Sequence, residues 1–218
     1  TGNHIGIFEK DYKTQDIPMN QYLKGEFNEN NLKAAMAILM HCNVDTKKAY
    51  DYLMDVSAPP GRFEVISDQS KHNFDVIIDY AHTPDGLENI LIEANKLAEK
   101  SKGRVLTVFG CGGDRDRGKR PMMGEIAEKH STYFIITQDN PRTEDINQIT
   151  QDIKKGLKNP KGSYTIIDDR EIAIRSIIEQ AKKGDIVIIA GKGHEDYQIL
   201  KDQTIDFNDK LIAQKYLG

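Results

Sequence analysis

The 218-residue sequence has two cysteines, no tryptophan, no block of like charge and no apolar run longer than a strand. Each absence removes a class of protein. Cys42 and Cys111 are too few for a disulfide framework, so a reduced, cytoplasmic setting is expected. The longest apolar runs, such as Ile186 to Ala190, fall far short of the roughly 20 residues of a membrane-spanning helix. With 30 basic against 34 acidic side chains and a net charge of -4, the chain lacks the basic field of a general nucleic-acid or membrane-surface binder. Neither partner is expected. No secretory signal, internal repeat or low-complexity segment is visible. The first residue is Thr1, and Thr1 to Tyr12 has neither a charged leader nor an apolar core. The length is about one and a half times a typical domain of roughly 150 residues. The sequence therefore reads as one complete domain plus a piece of another, cut from something longer.

Residues 1 to 28 alternate weakly, as in His4-Ile5-Gly6-Ile7-Phe8, and predict short antiparallel strands broken by Pro18 and Gly25. The period then changes. From Asn30, a good N-cap, Leu32, Ala35, Met36, Leu39 and Met40 share a helical face, and a second helix is predicted from Asp45 through Leu53. The stiff stretch Ser57-Ala58-Pro59-Pro60-Gly61 is the best candidate for a domain boundary.

Beyond it, strands alternate with helices. Strands are predicted at Phe63 to Ser67, Val76 to Tyr80, Arg104 to Phe109, Tyr133 to Thr137, Tyr164 to Ile167 and Ile186 to Ala190. Helices are predicted at about Pro84 to Lys100, Pro121 to Lys129, Thr143 to Leu157 and Asp169 to Lys183. A hairpin around Lys201 to Thr204 and a helix from about Asn208 close the chain. Strands that are apolar throughout and alternate with helices imply an α/β fold, a Rossmann-like, mostly parallel sheet covered on both faces.

In such sheets ligands bind beyond the carboxyl ends of the strands. The unusual residues collect there, in Asp79 to Asp85, Gly110 to Pro121, Asp139 to Arg142 and Gly191 to Glu195. Gly113 through Lys119 matches seven positions of the phosphate loop G-x-x-x-x-G-K-[ST], but Arg120 stands where the magnesium-holding hydroxyl belongs. Pro121 then starts the helix without the expected NH, and two acidic residues in the loop repel a triphosphate. What remains presents Arg115, Arg117, Lys119 and Arg120 near a helix N-terminus, which suits a carboxylate or single phosphate. The alternative is surface pairing of these arginines with the loop's aspartates.

Asp139-Asn140-Pro141-Arg142 combines an acceptor, an amide and a planar guanidinium. It suits an amino-acid head group, carboxylate to Arg142 and ammonium to Asp139, or equally an Asx-Pro turn capping the following helix. Glu195 suits an ammonium group, and Gly191 and Gly193 let the backbone approach a ligand. His194 and Glu195 do not form a zinc motif, because Gln198 occupies the position four residues after His194, and no metal site is expected. His82 and His194 are candidate acid-base groups or fixed hydrogen bonders. Cys111, between glycines, is expected there for its size, and Met36 and Met40 for the core.

Taken together, Gly61-Arg62-Phe63-Glu64, the four loops, and Asp196-Tyr197-Gln198 resemble the Mur ligases of peptidoglycan synthesis, and among them the UDP-N-acetylmuramoyl-tripeptide synthetases. The motifs run in family order across residues 59 to 218. Residues 1 to 58, with Gly25 to Asn28 and Asn31 to Ala35, look like the tail of the family's central ATPase domain. The resemblance implies ATP-dependent amide formation, in which a D-glutamate carboxylate of a UDP-N-acetylmuramoyl dipeptide is activated as an acyl phosphate and attacked by a diamino acid. Arg62 and Asp79 are then expected near the ATP phosphates and ribose, with His82 as the catalytic candidate beside them. Arg115, Asp139, Asn140, Pro141, Arg142, Gly191 and Glu195 match positions that hold meso-diaminopimelate in members using it. Arg142 is expected to meet the distal carboxylate that lysine lacks. The family's phosphate loop and magnesium ligands have no counterpart in this sequence, so the chain alone is expected to be inactive, and a monomer is expected. The rival readings are a lysine-adding or other Mur-like amide ligase, and a non-catalytic α/β module that binds a small charged ligand. A third is an autonomous phosphate-loop nucleotidase.

Overall fold

A computed structural model of the chain describes residues 23–54, 56–68, 71–158 and 164–218. The strands expected around His4 to Phe8 lie outside these residues. The chain divides into two compact units, Thr1–Ser57 and Ala58–Gly218.

The first unit contains α1 (Glu26–His41) and α2 (Thr46–Met54), with Leu32, Met36, Ala49 and Leu53 buried. Met40 is half-buried. The helix expected to begin after Asn30 starts five residues earlier, and residues 26 to 28 are helical rather than extended. Gly25, at φ 101°, turns the chain in, and its carbonyl accepts from Asn28 N and Glu29 N. Glu26 and Glu29 in the first turn favour the positive end of the helix dipole.

The second unit is built on six strands: β1 (Glu64–Val65), β2 (Asp75–Asp79), β3 (Val105–Phe109), β4 (Tyr133–Ile136), β5 (Tyr164–Ile166) and β6 (Ile186–Ala190). Their order is β1-β2-β6-β3-β4-β5, parallel throughout except for the antiparallel edge β1. Each crossover is helical: α3 (Pro84–Ser101), α4 (Lys119–His130), α5 (Ile146–Lys154) and α6 (Arg170–Gln180). The hairpin β7 (Tyr197–Ile199) and β8 (Thr204–Asp206) precedes α7 (Asp209–Leu217).

The unbroken apolar strands resolve into two faces with a period of two. Ile77, Val105, Phe109, Phe134, Ile136, Ile186 and Ile188 pack with Leu87, Leu91, Met123, Ala127, Ile149 and Ile153 from α3, α4 and α5. Val76, Ile78, Leu106, Val108, Ile135, Val187 and Ile189 pack with Ala173, Ile174, Ile177 and Ala213 from α6 and α7. Full burial of each such side chain is worth roughly 1.5–3 kcal/mol, more than strand propensity differences of about 1 kcal/mol, so burial sets the register.

Helix starts follow the caps. Thr83 accepts from Gly86 N, with Pro84 opening α3, and Asp169 accepts from Ile172 N at the start of α6. Two starts differ from expectation. α4 begins at Lys119, two residues before Pro121. α5 begins at Ile146, after Thr143, because Asp145 is the cap and accepts from Asn147 N.

Because β2, β3, β4 and β6 run parallel, the loops after them emerge on one rim. The path after β3 goes to α4 on one face, and the path after the adjacent β6 goes to α7 on the other. Such a divergence opens a crevice at the carboxyl edge.

A candidate ligand cleft at the carboxyl edge

The crevice is a cleft of about 730 Å³ lined from all four loops, including Tyr80, His82, Asp85, Arg115, Lys119, Asp139, Asn140, Arg142, Gly191, Glu195 and Tyr197. Of the residues expected from sequence to contact a ligand or nucleotide, Arg62, Asp79 and Pro141 do not line it, and neither do His194, Arg117 and Arg120.

Asp79 is a clip. Its two oxygens accept from Phe63 N and Ala81 N, each at 2.7 Å, closing the strand end against the segment before β1. Burial raises its pKa, against the lowering from those two NH groups and Arg62. Arg62 lies over the Tyr80 ring, 5.0 Å from its centroid. The same ring meets His82 edge-on at 4.6 Å and His194 at 5.4 Å. His82 Nδ1 lies 2.8 Å from the Tyr80 carbonyl, which only accepts, so Nδ1 carries the proton and Nε2 is left as an acceptor. The His82 carbonyl in turn accepts from Lys119 Nζ at 2.8 Å.

The glycine-rich loop is not an open phosphate cradle, because three of its NH groups are already taken. Gly113 N donates to Asn140 O, Asp114 N to a Glu144 oxygen and Gly118 N to Asp116 Oδ1. The basic rim expected from Arg115, Arg117, Lys119, Arg120 and Arg142 is also smaller than foreseen. Arg120 is fully buried, bridging Glu144 and Asp152 at 2.9 and 3.0 Å, and Arg117 is paired with Glu144 at 3.0 Å. Burying a guanidinium is costly unless carboxylates match it, and α5 supplies one, Asp152, while the turn before it supplies the other, Glu144. Arg115, Lys119 and Arg142 remain on the cleft wall.

The Asp139 to Arg142 segment does not cap a helix. Asn140 Oδ1 accepts from Lys192 Nζ at 3.1 Å and Ile199 N at 2.9 Å, and its Nδ2 donates to Glu195 Oε2 at 3.0 Å. Gln198 Nε2 donates to Asp139 O, and Arg142 N to Ile199 O. The β7–β8 hairpin thus braces the segment. Arg142 has φ 52° and donates through Nη1 to Gly113 O at 2.8 Å, turning its guanidinium back toward the glycine loop. Asp139 is 7% exposed, and no donor among the described residues hydrogen-bonds its carboxylate. Burial raises its pKa, opposed by Arg170 and Lys192. Gly191, at φ 118°, leaves it room, since a Cβ there would lie 2.6 Å from Asp139 Oδ2.

Two structural roles escaped the sequence reading. Glu144 ties both basic loops together, and nothing in its local sequence distinguishes it from a solvated residue. Lys192, fully buried beneath the cleft, did leave a signal: a lysine flanked by two glycines directly after an all-apolar strand.

A mostly parallel sheet with helices on both faces carries, at its carboxyl edge, a cleft lined by both carboxylates and guanidinium groups, the place where folds of this class take small ligands. The family model for the Mur ligase glutamate ligase domain matches residues 61–193. A UDP-N-acetylmuramoyl-L-alanyl-D-glutamate–2,6-diaminopimelate ligase from Syntrophomonas wolfei is 46% identical over 96% of this chain and 42% of its own length. The ligase of the same name from Prochlorococcus marinus subsp. pastoris is 50% identical over 89% of this chain and 38% of its own. A solved structure of a ligase of that name superposes with a TM-score of 0.73 at 40% identity, over 89% of this chain and 39% of that one. The chain belongs to the Mur ligase family. It spans about two-fifths of the length of the curated relatives it matches.

Proposed function

We propose that this chain is the amino-acid-delivering part of an ATP-dependent amide ligase that adds meso-diaminopimelate to UDP-N-acetylmuramoyl-L-alanyl-D-glutamate in peptidoglycan synthesis. The observation that carries the reading is the presence of unlike charges in one cleft. The carboxylates of Asp139 and Glu195 and the guanidinium groups of Arg115 and Arg142 all line it. A diamino diacid carries ammonium and carboxylate groups at both ends and matches both sets, whereas lysine leaves one guanidinium without a partner. The names of the relatives at 46% and 50% identity support the same substrate.

In this reading the residues of the chain bind and orient. Asp139 and Glu195 hold an ammonium group, Arg142 meets the distal carboxylate, and Arg115 steadies the ligand from the glycine loop. The amine of the held ligand is thereby aimed at its acceptor, which is catalysis by proximity. His82, with Nε2 available as an acceptor at the cleft mouth, is placed to take a proton from an attacking amine. ATP supplies activation of the acceptor carboxylate in such ligases. The described residues do not fit a magnesium triphosphate, since Gly113 N, Asp114 N and Gly118 N in the glycine loop are occupied and Arg120, where a magnesium-holding hydroxyl would stand, is buried. Arg62 and Tyr80 form the face offered to a nucleotide held elsewhere in the parent enzyme, and buried Asp79 fixes the turn that carries them. Residues 1 to 58 read as the end of its ATPase domain, and the whole as a cytoplasmic monomer handling small molecules.

Calorimetric titration of the chain with meso-diaminopimelate and with lysine tests this. Preference for the diacid, lost in Arg142→Ala without an equal loss for lysine, is the expected result. Equal effects on both would favour a lysine-adding relative.

A further inference from the structure

The cleft rests on one charged side chain that none of these roles uses. Lys192 is fully buried in the Gly-Lys-Gly turn that ends β6. An ammonium in such a place costs several kcal/mol unless well-placed partners offset it. Its Nζ donates to Asn140 Oδ1 at 3.1 Å and to Glu195 Oε2 at 3.0 Å, and lies 5.5 Å from the centroid of the Tyr197 ring. Asn140 Oδ1 also accepts from Ile199 N, so two donors hold the oxygen and the amide cannot flip. Its Nδ2 is thereby aimed at Glu195 Oε2. Both donors reaching Glu195 share that one oxygen, and Oε1 takes no hydrogen bond from the described residues. A second acceptor of the cleft, Asp139, feels the charges of Arg170 and Lys192 against those of Glu195 and Asp209.

We propose that Lys192 is the positioning residue of the cleft: its buried ammonium locks Asn140 and one oxygen of Glu195 so that Glu195 Oε1 and the Asp139 carboxylate are held ready for the ammonium group of a diamino acid. The ligand named here rests on the reading of the cleft given above. Methionine at this position removes one member of a buried ionic contact and lowers stability whatever the role of the lysine. The state of the Asn140 amide and the affinity for ligand in the folded variant, not its stability, separate a positioning lysine from a merely structural one.

The experiment uses the full 218-residue chain and its Lys192→Met and Lys192→Arg variants, with the backbone amide spectrum confirming the fold. In Lys192→Met the Asn140 side-chain amide signals are expected to shift and lose exchange protection. Affinity for meso-diaminopimelate is expected to fall by about tenfold, the worth of one hydrogen bond to a charged group. Lys192→Arg is expected to restore part of both. Unchanged Asn140 signals, together with affinity within about twofold of the parent, would overturn the proposal. If the unmodified chain binds no diamino acid, the reading of the cleft has failed and not the lock, which the Asn140 and Glu195 signals then decide alone. If Lys192→Met does not fold, the ammonium nitrogen resonance of Lys192 in the unmodified chain decides. Slow exchange with coupling to its two partners supports the lock, and rapid exchange overturns it.

Discussion

Arg170 donates through Nε and Nη2 to the two carboxylate oxygens of Asp209, each at 2.8 Å, and both side chains are fully buried. The pair joins the first residues of α6 and α7. The same guanidinium reaches Ala190 O at 3.0 Å and Gln138 O at 3.4 Å, at the ends of β6 and β4. The last helix is therefore fastened to the floor of the cleft, directly behind Asp139 and Gly191.

Removing one member of this pair leaves an unmatched buried charge. Asp209→Asn is expected to cost about 3 kcal/mol of unfolding free energy, while the double change Arg170→Met with Asp209→Leu costs less. Urea unfolding followed by circular dichroism measures both. A double variant no more stable than Asp209→Asn would show that the stability comes from packing and not from charge matching.

Asp139 is expected to trade stability for binding. Its pKa is raised in the fold, chiefly by burial. A carboxyl group whose native pKa lies above its unfolded value of about 3.9 favours the native state when protonated and burdens it when ionised. At neutral pH, then, Asp139→Asn is expected to unfold at a higher temperature than the parent. The gain shrinks as pH falls through the native pKa toward about 4. The same variant is expected to lose affinity for the diamino acid. A lower unfolding temperature at pH 7 would contradict the assignment of Asp139 as a strained, ligand-awaiting acceptor.

The sheet was legible in the sequence because its strands are fully buried, and a run such as Ile186 to Ala190 has few other interpretations. The loops were legible for the same geometric reason, since polar and glycine residues placed after parallel strands must share one rim. What escaped was pairing across the chain. Arg120 reads as one more basic residue of its loop until Glu144 and Asp152, 24 and 32 residues away, close on it. Asn140 reads as a ligand contact, yet its carbonyl is consumed by Lys192 and by the backbone of Ile199. Neither partner is inferable from local spacing. The start of α1 was misread because Asn30 is a better cap by residue type than Gly25, whereas the structure uses the backbone carbonyl of Gly25 and needs no side-chain cap.

The two thiols are expected to differ in reactivity. Cys111 is 2% exposed beside Met123, and burial pushes its pKa up to about 12, so almost no thiolate exists at neutral pH. Cys42 is exposed. Native protein treated with a thiol-specific reagent at pH 8 is expected to react at Cys42 alone, and denatured protein at both. Rapid labelling of Cys111 in the native state would mean that the contact between the glycine loop and α4 opens readily.

Asp185 sets an acid limit on the fold. Burial pushes its pKa up, but the fork from Arg104, whose Nη2 lies at 2.5 Å, and the NH groups of Lys182 and Arg104 pull harder, so the net shift is downward. A carboxylate with a native pKa below its unfolded value contributes stability that is complete above about pH 4 and is lost as pH falls through the native pKa. Asp185→Asn is therefore expected to destabilise the domain at pH 7 by roughly 2 kcal/mol, the worth of hydrogen bonds to a charged group. Variant and parent should converge in stability as the pH drops below about 4, because protonation then removes from the parent the charge that the variant already lacks. Asp139 works in the opposite sense and above about pH 4, where the contribution of Asp185 is still complete, so the double variant Asp139→Asn with Asp185→Asn separates them. It should retain the neutral-pH gain of the first and show the flattened acid limb of the second. A parent-like acid limb in Asp185→Asn would assign acid sensitivity to other carboxylates, of which Asp152, held down by Lys155 and Arg120, is the next to change.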